Sequence, residues 1–155
     1  MAEAAARETL SPVERLETAA ASRDELIDHL LHALSRSDTS ALRAMVMSRR
    51  EFAYLFYPSS RFTSAPTKQE PALAWFLHLQ ASQKGVTRLL NRYGGTALSL
   101  VDHQCGAPVR MGSNTLWWDC AQRIAHGGDT VTTRLIGGIL ERDRRFKVFS
   151  YGNDL

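Results

Sequence analysis

Long apolar runs are missing from this chain. No stretch approaches the roughly 18 to 20 residues that a membrane-spanning helix needs, which excludes a helical span. The first 21 residues also lack the apolar block of an export signal. Cysteine is scarce: Cys105 and Cys120 are the only two, and their spacing is not the C-x-x-C of a redox motif. There is no glycine-rich phosphate loop, no G-x-S-x-G elbow and no H-E-x-x-H. Gly94-Gly95 follows a helical run instead of opening one, so it is no phosphate cradle. His29 and His32, three apart, could share a helix face, but no Glu or Cys completes a ligand set. No metal and no cofactor is expected. Charge of one sign is not concentrated either. The net +3 arises from an acidic start and basic residues scattered downstream. One cluster, Arg142, Arg144, Arg145 and Lys147, also holds Glu141 and Asp143 and falls where a turn is expected. It reads as a solvated turn, not a phosphate-binding patch, and no nucleic-acid partner is expected.

What is present is one domain's worth of chain, 155 residues with the composition of an ordinary globular protein. Residues 1–21, rich in Ala and Glu, read as a flexible tether or a marginal helix, with Ser11, Pro12 and Glu14 supplying start signals. Such tethers often follow a removed export signal, so an extracytoplasmic, tethered or periplasmic setting is expected. Residues 22–155 form a single domain. Ser22 and Glu25 make a capping box, and Leu26, Ile27, Leu30, Leu31 and Leu34 form one stripe. Asp38 or Thr39 caps a second helix. A helical stretch dense in aromatics runs from Ser48 to Pro58, and residues 59–69 form a Ser-, Thr- and Pro-rich loop. Glu70-Pro71 starts a long helix in which Leu73, Phe76, Leu77 and Gln80 share one side, with Trp75 beside it. Gly85 interrupts that run, Val86, Leu89, Leu90 and Tyr93 resume it, and Gly94-Gly95 ends it.

After Gly95 the period changes to that of strands. They are expected over residues 96–105, 115–125, 130–141 and 145–151, with turns at 106–114, 126–129 and 142–144. Gly137-Gly138 inside the third strand marks a bulge or sharp bend. The fold class is therefore α+β, with N-terminal helices followed by an antiparallel sheet that bends at Gly137-Gly138 and would curl around something.

This element order, closed by ILERDRRFKVFSYGNDL over residues 139–155, resembles the nuclear transport factor two-like superfamily, also called cystatin-like or ketosteroid-isomerase-like. The resemblance covers about residues 22–155. It implies a cone-shaped domain whose sheet wraps the helices and leaves a pocket. It rests on element order, with no diagnostic motif. The superfamily includes enzymes, binding modules and dimerisation adaptors, so it leaves function open. The helical aromatics over 52–57 depart from it, since many members place a short strand there.

Candidate pocket residues are Tyr54, Tyr57, Trp75, Trp117 or Trp118, and Phe149, all of which could instead fill the core. Trp117 and Trp118 are adjacent on a strand and so point to opposite faces, one toward the core, the other toward solvent, the pocket rim or a second subunit. A homodimer through the outer sheet face is one consequence. The resemblance also implies a pocket carboxylate acting as base, for which Asp102 and Asp119, with His103, are the candidates. Cys105 and Cys120 bracket the loop between the first two strands and could be bridged, adding about 3 kcal/mol, or remain two buried thiols. The reading that follows is a non-catalytic domain binding a small apolar molecule or a protein partner. The alternatives are an isomerase or lyase acting on a small apolar substrate, and a dimerisation module.

Overall fold

A computed structural model describes residues 10–155. Residues 1–9 of the expected tether lie outside the described part, and residues 10–21 form no helix there. They run as a strap held against the domain: Leu16 is 1% exposed, and Ala20 exchanges backbone hydrogen bonds with Phe146.

Helix α1 spans Arg23–Ser35. Its Ser22 cap accepts from the Glu25 N–H, while the Glu25 carboxylate accepts from the Ala21 N–H, and the expected stripe is buried. Helix α2, Thr39–Ala44, is capped by Asp38. A single turn, α3 (Arg49–Glu51), opens on a complete Ser48/Glu51 capping box. It passes into a π-helical turn over Phe52–Phe56, where the Tyr57 N–H reaches back to the Phe52 carbonyl. Pro58 follows in a 3-10 turn over Tyr57–Ser59, because proline cannot continue the donor ladder.

Helix α4 is Pro71–Tyr93. Here the side expected from the apolar spacing is turned outward: Leu73, Phe76 and Leu77 are 49%, 53% and 45% exposed. The buried side of α4 carries Ala74, Ser82 and Gly85 in its first two thirds. These small residues let the helix approach its neighbours closely. Gly85 meets the C-terminal segment, where an added Cβ would lie 1.6 Å from the Tyr151 carbonyl oxygen.

The strands are β1 (Leu98–Gln104), β2 (Val109–Met111), β3 (Asn114–Trp117), β4 (Ala121–His126), β5 (Asp129–Thr133), β6 (Gly138–Arg142) and β7 (Arg145–Ser150). They form two antiparallel sheets, β1-β4-β5 and β2-β3-β6-β7. The expected second and third strands are each broken in two, at residues 118–120 and 134–137, and so run through both sheets. Asp119 adopts φ 52° at the first break and Gly138 φ 152° just past the second. The result is a curved antiparallel sheet with the helices packed against its concave side. Gly137-Gly138 does mark a bend. Gln122, 0% exposed, spans both breaks: its amide donates to the Cys120 carbonyl and its oxygen accepts from the Leu135 N–H. Asp143 and Arg144, both with positive φ, turn β6 into β7 as a two-residue hairpin requires. Cys105 and Cys120 stand at bonding distance, S–S 2.03 Å. No helix among the described residues is long and apolar enough to cross a membrane.

Alternation along the strands divides the core. Ile139 and Val148, with Trp117 at their margin, pack with α1 and the end of α4, whereas Leu116, Leu140 and Phe149 pack with the aromatic turn. Lys147 shares the second side and is 3% exposed. It is not part of a solvated turn, because its ammonium meets the buried Glu51 carboxylate at 2.7 Å.

Candidate functional site: an aromatic cavity between helix and sheet

A cavity of about 550 Å³ opens beside the second core. The π-turn supplies Phe52 and Phe56, the following loop Ser60, Arg61, Phe62 and Gln69, and α4 supplies Ala74, Leu77 and His78. The sheet side consists of Val109, Met111 and Leu116, with Trp118 from the strand break and Phe149 from β7.

Local chain geometry explains this convergence. A π-turn is wider than an α-turn, and here it sets Phe52 and Phe56 with their rings stacked at 5.8 Å. Its Leu55 carbonyl is taken up by Asn114 and Arg142 side chains from the sheet. On β7 the register shifts at Phe149, where Gly138 pairs with Ser150 but Ile139 with Val148. Such bulges re-aim side chains. Phe149 becomes the hub of the wall, with ring centroids 5.0 Å from Phe56, 4.7 Å from His78 and 5.4 Å from Trp118. Gly138 gives Trp118 its place, since an added Cβ would lie 3.3 Å from the indole.

His78 is the polar exception in the wall. Its ring stacks on Trp75 at 5.6 Å, and its Nε2 is buried without a hydrogen-bond partner among the described residues. Burial pushes the imidazole below its ordinary value, and a backbone hydrogen bond at Phe149 only partly opposes this. The rings packed around it, Phe52, Trp75 and Phe149, carry no charge. The folded state therefore disfavours the imidazolium more than the unfolded chain does. The stability this contributes is present above the ordinary histidine pKa and is lost as pH falls from there through the lowered folded value. Denaturant midpoints measured near pH 7.5 and pH 5 should differ less in His78→Phe than in the parent chain; an unchanged difference would place the acid sensitivity elsewhere.

Of the residues singled out from the sequence, Phe149 lines this cavity and Trp118 rather than Trp117 joins it. Trp117 lies on the other side of the strand, its Nε1 donating to Glu141 and its ring covered by the Arg23 guanidinium at 3.8 Å. Trp75 stands behind the wall, against Phe52 and His78. Tyr57 is buried beneath the loop and donates to the Gln69 carbonyl, and Tyr54 donates to the Leu10 carbonyl. Asp102, His103 and Asp119 are outside it. Asp102 is paired with Arg123, Asp119 accepts from Arg134 at 2.7 Å, and His103 meets Asp24 at 2.6 Å. Among the described residues no carboxylate lines the cavity.

His78, Arg61 and Met111 were not legible as site residues. The signal for His78 was slight: a histidine within an otherwise apolar helical run, three residues after Trp75. No protein family, curated protein or solved structure matches the chain.

Proposed function

We propose that this chain is a binding domain for a small, largely apolar molecule, built on the nuclear transport factor two-like plan and working in an extracytoplasmic compartment. The aromatic cavity carries the reading. Its volume falls in the range of about 300–1,000 Å³ usual for small-molecule sites, and its walls are mainly aromatic and aliphatic. Leu77, Val109 and Trp118 line it while remaining 45%, 45% and 38% exposed, so apolar surface continues outward to the mouth. Support for the superfamily comes from the element order, helices first and then a bent sheet ending in a tight hairpin. The bonded cysteines favour an oxidising compartment. With Asp102 and Asp119 outside the cavity, no observation favours isomerase chemistry. None favours a dimer through the outer sheet face either, since Arg23 covers Trp117 and Trp118 turns to the cavity.

Calorimetric titration with 2-naphthol tests this. A ligand of that size filling an apolar site should bind with Kd of about 10–100 μM. Val109→Trp, on an exposed strand where bulk is tolerated, should narrow the mouth and weaken binding about tenfold. No saturable binding by 2-naphthol or any other neutral bicyclic compound would overturn the reading.

A further inference from the structure

Resting on that reading, we propose that the ligand is an amphiphilic carboxylate, its apolar body enclosed by the aromatic wall and its anionic head held at the mouth by Arg61. Arg61 is the one charged side chain lining the cavity among the described residues, apart from the titratable His78. Four arginines among the described residues do meet acids: Arg36 reaches Asp38 at 3.5 Å, Arg50 reaches Glu17 at 3.2 Å, Arg134 reaches Asp119 at 2.7 Å, and Arg123 pairs with Asp102. No carboxylate among the described residues neutralises Arg61. Its side chain is exposed at the mouth, with the guanidinium 5.4 Å from the Phe62 ring centre.

The backbone that presents Arg61 is fixed. The Thr67 hydroxyl donates to the Arg61 carbonyl at 2.6 Å, the Gln69 N–H to the Phe62 carbonyl at 2.9 Å, and the Ser60 hydroxyl accepts from the Phe62 N–H at 3.3 Å. A planar guanidinium at the edge of a low-dielectric cavity matches a carboxylate in two parallel hydrogen bonds. One cation suits a monoanion. The interior gives the complementary instruction, because burial there already disfavours the charged form of His78. A charged head is thus excluded from the depth and received at the rim, which sets the orientation of the ligand.

The test compares 2-naphthoate with 2-naphthamide, two bicycles of nearly equal shape, at pH 7.5 by calorimetry. In the parent chain naphthoate should bind about fivefold more tightly, the size of effect expected for a partly exposed ion pair. Arg61→Gln should remove that preference, so that the two compounds bind alike. Arg144→Gln, at the exposed hairpin turn, should leave both unchanged. Equal binding of the two compounds by the parent chain would overturn the carboxylate assignment and leave the apolar-site reading standing. A preference that survives Arg61→Gln would overturn the role of Arg61. Failure of both compounds would remove the apolar-site reading and the assignment with it.

Discussion

Replacing Lys147 by methionine is expected to cost about 3–5 kcal/mol, because it leaves a buried carboxylate without its counter-charge. Glu51 is 0% exposed and Lys147 3%, and their charged atoms lie 2.7 Å apart. The same carboxylate accepts from the Ser48 N–H at 2.8 Å and from the Glu17 N–H at 2.7 Å. One side chain thereby joins the N-terminal strap, the start of α3 and strand β7. After Lys147→Met the two N–H donors remain, but the charge is no longer neutralised. Urea unfolding should show a lower midpoint at unchanged slope. Adding Glu51→Gln should recover part of the loss, not all, because a carboxamide has one oxygen to offer two N–H groups. A single variant within about 1 kcal/mol of the parent would place Lys147 among surface pairs of little consequence.

Gly85→Ala should reverse the usual sign of its substitution. In an open helix interior alanine is favoured over glycine by about 1 kcal/mol. Here the new methyl would sit 1.6 Å from the Tyr151 oxygen and 2.3 Å from its carbonyl carbon, both backbone atoms. The C-terminal segment is also anchored on α4, since Ser82 accepts from the Tyr151 N–H and Asn153 donates to the Gly85 carbonyl. It cannot move aside without breaking those bonds. Overpacking of this kind should cost about 3 kcal/mol, read as a fall in melting temperature. A variant that melts at or above the parent temperature would show that the helix and the C-terminal segment can separate at no loss.

How much of this was legible follows from which interactions are local. The Ser22/Glu25 cap, the α1 stripe, the change of period after Gly95 and the bend at Gly137-Gly138 are decided within a few residues, and each could be read from the sequence. The orientation of α4 could not. Its large apolar residues suggested the inner side, but its small residues decided the packing, and their fit depends on a segment more than 60 residues away. Lys147 was placed among the solvated charges of its turn because its partner lies 96 residues distant. For the cavity, the sequence suggested aromatics on the helical stretch over 48–58, on the long helix and on the sheet. The choice between Trp117 and Trp118 turned on a strand break at Asp119 that no glycine announces. His78 and Arg61 became visible only when α4 and the loop before it were set against Phe149.

The buried Gln122 gives the cavity a property beyond its contents. One carboxamide bonds to the backbone at both strand breaks, so it acts as a spacer of fixed length between them. The first break carries Trp118, and the second leads directly into Gly138, against which that indole rests. The place of Trp118 on the sheet side of the opening is consequently set by main-chain geometry. A wall held in this way is preformed, so that filling the proposed site would cost little conformational freedom.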